Sequence, residues 1–385
     1  MVIMEFSRRK MILLLGGGAV LAARAGFGFA ATRLPRTAYL PWTQAGRYDD
    51  PRMRALSFAL LAPNPHNRQP WLADLSEDGV ITIMVDRDRL LPQTDPFNRQ
   101  ITIGLGAFLE LLRMAAAEDG QRAVITPFPQ GSDDTTLDGR PVARITLTPD
   151  RAVAKDPLFS VVLDRRSNKE PYDLTRPVPP EALAALGQPV VNGAYFGGTV
   201  DPEAVAAWRA ITREALRIEV ETPHTYRESV DLFRIGRREV DANPDGIDFS
   251  GPVFESMHLT GLFTRGIAAD PTSFAFRAGM EAVYANADTA MGHVWLVTAD
   301  NSRKTQIATG ADWLRVNLAA TQLGLGFQPL SQALQEFPEM AGPYAQVHER
   351  LAPDGGTVQM LARIGYGPDV ENSPRWPLES KIRST

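Results

Sequence analysis

The 385-residue chain contains no cysteine. That absence excludes disulfides, thiolate nucleophiles, cysteine-held iron–sulfur clusters and cysteine-based zinc sites in any compartment. Histidine is scarce too. His66, His224, His258, His293 and His348 stand alone, with no second histidine at ligand spacing, so no metal centre is expected. No Gly-x-Ser-x-Gly string supports a Ser/His/Asp hydrolase. Gly104-Leu105-Gly106 lacks the third glycine of a dinucleotide fingerprint. Positive charge is not in excess: 40 Lys+Arg against 45 Asp+Glu leave a net charge of −5, which provides no counterion-release drive toward nucleic acid.

What is present is globular composition, 44% hydrophobic and 22% charged residues. The length suits two domains or two halves, each able to bury a core. The first 31 residues differ from the rest. Ser7-Arg8-Arg9-Lys10-Met11-Ile12 precedes an apolar run over residues 11–23 and a tail of small residues. The run is too short to cross roughly 30 Å of hydrocarbon as a helix, so a stable membrane span is not expected. The string resembles a twin-arginine export signal, with Met11 where Phe is usual. It implies recognition by the twin-arginine export machinery, removal of residues 1–31 and a periplasmic or otherwise exported product. That pathway moves folded proteins, which suits a cofactor inserted before export.

In the remainder, Asp49-Asp50-Pro51 reads as a helix start, with Met53, Leu56 and Leu60 on one face until Pro63. Strands are expected over residues 80–85 and 143–147, around an apolar helix over 101–117 that is hydrophobic nearly all round and therefore central. The second half is expected to have a helix from Asp201-Pro202, strands over 293–298 and 357–364, and a second buried helix over 309–323. Residues 222–290 lack sustained periodicity and read as a lid or a packing insertion. A weak internal repeat aligns Gly106 and its helix with Gly310 and its helix at an offset of 204 residues. The expected fold is α+β in tandem halves, 32–150 and 151–385, each a mixed sheet packed around a buried helix.

Three strings carry chemistry. Pro63-Asn64-Pro65-His66-Asn67-Arg68-Gln69-Pro70-Trp71 is a rigid loop whose side chains offer donors and acceptors to a planar ligand; it also reads as a plain helix-terminating turn. Asp164-Arg165-Arg166-Ser167-Asn168-Lys169 gathers two guanidiniums, a hydroxyl and an ammonium, a sensible phosphate clamp or a solvated basic turn. Pro374-Arg375 belongs with the clamp only if the tail folds back on it.

In this order, and with Gly324-Leu325-Gly326-Phe327-Gln328-Pro329-Leu330 closing an Ala-rich helix, the strings resemble the nitroreductase superfamily of FMN-dependent oxidoreductases. They are most similar to its exported, double-length Acg-type branch. The resemblance implies FMN as cofactor. Arg165, Arg166, Ser167, Lys169 and Arg375 would hold its phosphate, and Pro63, Asn64, His66, Asn67 and Gln69 would lie at the ring or ribityl chain. Gln328, Pro329 and Leu330 would approach from the second half, and no protein nucleophile is needed. Asn64 replaces the usual Ser. Because the loop lies only in the first half and the clamp only in the second, one chain would build one site. The implied activity is hydride or electron transfer from a small-molecule donor to a nitroaromatic, quinone or similar acceptor. The alternative is a non-catalytic protein that binds and sequesters FMN beneath the 222–290 segment.

Overall fold

The computed structural model describes residues 34–383. The export segment expected over residues 1–31 lies outside them. Helix α1 (Leu40–Gln44) precedes α2 (Pro51–Ala59), whose start follows from local chemistry. Asp50 accepts a hydrogen bond from the Arg52 amide, and Pro51 occupies the first turn, where its missing N–H costs nothing.

Four strands and one long helix then build the first half: β1 (Trp71–Asp74), β2 (Val80–Val85), α3 (Arg99–Glu118), β3 (Gln121–Pro127) and β4 (Ala143–Pro149). Every pairing is antiparallel, in the spatial order β1-β2-β4-β3. Among the described residues α3 is the helix long and apolar enough to cross a membrane, and it lies buried within the protein.

The second half runs through α4 (Glu181–Gly187), β5 (Tyr195–Thr199) and α5 (Pro202–Glu221), which the Asp201 side chain caps through the Ala204 amide at 2.9 Å. An inserted segment follows: α6 (Pro223–Asp231), β6 (Phe233–Ile235), α7 (Gly236–Ala242), β7 (Ile247–Phe249), α8 (Pro252–Leu259), α9 (Arg265–Ala269) and α10 (Phe274–Asp288). The chain then returns to β8 (Gly292–Thr298), α11 (Arg303–Gln322), β9 (Gly326–Pro329), α12 (Ala341–Leu351) and β10 (Thr357–Gly365). The second sheet, again antiparallel throughout, has the order β5-β8-β10-β9.

Both halves are therefore strand–strand–helix–strand–strand, with the strands arranged first, second, fourth, third. The two long helices cross at the aligned glycines. A Cβ on Gly106 would lie 2.1 Å from the Ile307 carbonyl oxygen, and one on Gly310 would lie 2.0 Å from that of Ile103. Ile103 and Ile307 are themselves related by the 204-residue offset. The contact is thus reciprocal, as expected of two copies of one unit packed about a pseudo-twofold axis. The fold is α+β in tandem halves.

Three expectations change. Each four-stranded sheet is antiparallel throughout rather than mixed; a parallel pair needs a long crossover connection, whereas β1 runs back into β2, and β3 into β4, with no helix between. Helix α11 starts at Arg303, six residues before the expected Thr309, because Ser302 caps it through the Thr305 amide. The 222–290 segment is largely helical rather than irregular. Four of its five helices are begun by a local signal, Pro223 and Pro252 in first turns and Thr264 and Ser273 as side-chain caps, and all but the 15-residue α10 are short. Elements this short leave too few turns for periodicity to be read. The segment has its own apolar cluster around Val230, Phe233, Ile235, Phe263 and Ala268.

Candidate functional site

The loop after α2 is backbone-strained. His66, Asn67 and Gln69 have φ of 47°, 52° and 51°, a left-handed region that non-glycine residues rarely enter. Conformations of this kind persist where surrounding bonds over-determine them. Here the Asn64 side chain accepts from the Gln69 amide at 2.7 Å, and Asn67 Nδ2 donates to the Pro374 carbonyl at 2.9 Å. Gln69 Oε1 accepts from the Trp376 amide, Gln69 Nε2 donates to the Pro244 carbonyl, and Lys381 Nζ donates to the Gln69 carbonyl. The C-terminal tail does fold back, onto this loop. Against its other side lies α3, where a Cβ on Gly104 would sit 3.2 Å from Asn64 Cβ and Pro65 Cδ.

Two guanidiniums meet at the end of α2. Arg375 is 2% exposed, and all five of its N–H groups are used: on the carbonyls of Leu60, Leu61, Ala62 and Pro374 and on Asn67 Oδ1. It braces the loop and supplies positive charge but keeps no donor in reserve, which differs from the phosphate-binding role expected of it. Arg165, 3% exposed, uses one N–H on the Leu61 carbonyl at 3.0 Å and one on Asn317 Oδ1 at 3.1 Å. Its other three meet no acceptor among the described residues. Neither arginine has a carboxylate partner there. Burial, then the neighbouring Arg166, pulls Arg165 down to about 9; burial, then Arg165 and Arg166, pulls Arg375 well below the ordinary guanidinium range.

The rest of the second string surrounds them. Arg166 is half-buried on the carbonyls of Leu163, Arg165 and Val370, with its guanidinium 5.2 Å from the Trp42 ring. Ser167 is half-buried and Lys169 exposed. Lys169 acts electrostatically on His66. Burial first, then Lys169 and Arg68, lowers that imidazole to about 4, so it is neutral at ordinary pH. His66 alone of the loop's four polar candidates has no hydrogen bond to protein among the described residues. Pro63 lies half-buried at the start of the turn.

The third string is joined to the second by the Asn168 amide on the Phe327 carbonyl at 2.9 Å. Gln328 accepts from Arg363 Nε at 2.6 Å, and Pro329 pairs with Ala362 across the sheet. Leu330 is buried against Leu216 and Ala287, and none of the three bonds to the loop.

No protein-family profile matches the chain. Individual relatives do. Over 329 residues it is 27% identical to a Mycobacterium tuberculosis protein provisionally named NAD(P)H nitroreductase acg, covering 83% of this chain and 90% of that one. The likeness is to the nitroreductase superfamily. A second M. tuberculosis protein, provisionally named NAD(P)H nitroreductase Rv3131, is 25% identical over 313 residues, 81% of this chain and 84% of its own length. Among solved structures, the FMN-dependent nitroreductase NfnB from Mycobacterium smegmatis aligns with 58% of this chain and 95% of its own at 16% identity. Its TM-score of 0.35 is too low to transfer any feature.

In this nitroreductase-like chain, several site residues escaped the sequence reading. Asp245, buried, receives Arg234 at 2.7 Å, Arg68 at 3.5 Å and Arg89, and thereby ties the insertion to the loop. Glu228 of α6 adds a second tie, accepting from the amides of Gln93 and Thr94 and from the Thr94 hydroxyl. Lys381, whose ammonium burial pulls down to about 7, was also missed. The turn string Asn243-Pro244-Asp245-Gly246 marked a tight connection, but nothing local marked its partners.

Proposed function

We propose that the chain is an exported FMN-binding oxidoreductase of nitroreductase type, passing hydride or electrons to a nitroaromatic, quinone or similar acceptor. The observation that carries this is Arg165: a buried guanidinium that, among the described residues, has three N–H groups without an acceptor and no carboxylate partner, beside a second buried guanidinium. An uncompensated pair of this kind is costly unless an anion neutralises it, and a phosphate fits that charge and donor geometry. The residues present thus suit the phosphate end of FMN. Arg165, with Ser167 and Lys169, would bind it, while Arg375 adds charge and fixes the loop. Asn64, Asn67 and Gln69 would hold the backbone at the ring, and His66, neutral and unbonded, would face it. When bound, the flavin supplies the electron-transfer chemistry; the chain supplies position and electrostatics.

The purified folded precursor should absorb in the flavin bands. A colourless protein that takes up no added FMN would rule the proposal out. One observation favours a second reading, a storage or sequestering protein: the insertion is fastened at Pro244 and Asp245 to the loop that would face the ring. Titration with NADH and NADPH separates the two, since a turning-over enzyme bleaches the flavin and a closed store stays oxidised under both. Export rests on the Arg8-Arg9 string. Changing Arg8→Lys together with Arg9→Lys should remove the protein from the periplasmic fraction, and undiminished export would contradict the twin-arginine route.

A further inference from the structure

The last turn of helix α5 carries a carboxylic acid that holding a cofactor does not require. Glu219 is 7% exposed in the last turn, and its Oε2 is buried without a hydrogen-bond partner. A helix C-terminus is the unfavourable end for negative charge. Gln332 and Gln335, from the turn that follows β9, are the polar neighbours that favour its ionised form. The charged groups acting on it are Glu228 of α6, which repels its ionised form, and Lys169, which attracts it. Lys169 is also the cation that acts on His66. Leu330, which closes the third string, packs on Leu216 of α5 one turn before Glu219, so the carboxyl lies on the helix face turned toward that string. Burial, outweighing the two glutamines, pushes the carboxyl up to about 7, so that below neutrality it holds its proton.

We propose that Glu219 is the acid of this site, donating a hydrogen bond and then its proton to an oxygen of the electron acceptor, a quinone. The proposal rests on the oxidoreductase reading above. A quinone needs one hydride and one proton. Bound flavin, once reduced, would supply the hydride and its two electrons. The Glu219 O–H bond breaks as a new O–H bond forms on the acceptor, giving the hydroquinone. The resulting carboxylate, attracted by Lys169, regains a proton from water on the exposed Lys169 side.

Glu219→Gln keeps the shape and the neighbouring amides but holds no titratable proton, and Glu219→Asp restores a carboxyl one carbon shorter. In infrared difference spectra, the unaltered protein at pH 6 should show a protonated-carboxyl band that fades by pH 8 and is missing from Glu219→Gln. Turnover of a quinone at pH 6 should fall about 100-fold in Glu219→Gln, in kcat rather than KM, the size expected for loss of a general acid. The decline of kcat with rising pH through about 7 should vanish in that variant and return in part in Glu219→Asp. A carboxylate already ionised at pH 6, or a Glu219→Gln protein with unchanged rate and pH profile, would overturn the assignment while a yellow protein keeps the oxidoreductase reading. A colourless protein overturns both.

Discussion

Gly310→Ala is expected to destabilise the protein by about 3 kcal/mol or more, at or above the upper end of ordinary overpacking. The added methyl carbon would lie 2.0 Å from the Ile103 carbonyl oxygen and 2.8 Å from both the Ala107 nitrogen and Gly106 Cα. All three obstacles are backbone, so no rotamer change makes room; α3 and α11 must move apart along their shared crossing. Gly106→Ala should act alike, through the Ile307 carbonyl at 2.1 Å. Gly279→Ala is the control. That glycine is in α10 with nothing within 4 Å of its would-be Cβ, and alanine there should be neutral or gain up to about 1 kcal/mol of helix propensity. Urea midpoints at constant m-value read all three. If Gly310→Ala shifts no more than Gly279→Ala, the helix crossing is not what joins the halves.

This crossing also shows how the sequence encodes the fold. Strand β2 and helix α3 were legible because each buries nearly its full circumference and so reads as a plain apolar run between turn signals. The repeat was faint in identities, yet its two aligned glycines turned out to be the positions where no side chain fits. Two of the missed strands, β5 and β9, show why some were not legible. In β5 the Gly197-Gly198 pair looks like a turn, but a Cβ on Gly197 would meet the Trp295 ring at 2.2 Å, so the strand is glycine-rich in order to pack. Strand β9 spans only Gly326–Pro329, too few residues for alternation to register. At the site, residue types were legible and their loads were not. Arg375 was legible as the single arginine of its string, but the carbonyls it satisfies lie more than 300 residues away, at Leu60, Leu61 and Ala62.

The two buried arginines should respond to mutation in opposite ways. Arg375→Ala removes donors from the Leu60, Ala62 and Pro374 carbonyls and from Asn67 Oδ1, while the Leu61 carbonyl keeps its bond from Arg165. It also removes the brace on a loop with three left-handed residues. Buried acceptors left unpaired cost about 1–3 kcal/mol each. Water entry and relief of repulsion with Arg165 return part of that, so a net loss of about 3 kcal/mol is expected, with flavin retention lost as a consequence. Arg165→Met forfeits only the bonds to Leu61 and Asn317 and deletes a buried charge that no carboxylate balances among the described residues. Replacing even a buried ion pair with apolar side chains is often neutral or stabilising by about 1–4 kcal/mol, and here there is less attraction to lose. The cofactor-free Arg165→Met protein should therefore melt at or above the temperature of the unaltered one while failing to retain FMN. Calorimetry of the cofactor-free proteins, paired with quenching of FMN fluorescence on binding, separates the two effects. An Arg165→Met protein that binds FMN undiminished, or that loses as much stability as Arg375→Ala, would show Arg165 to be a second structural brace and leave the phosphate without its principal donor.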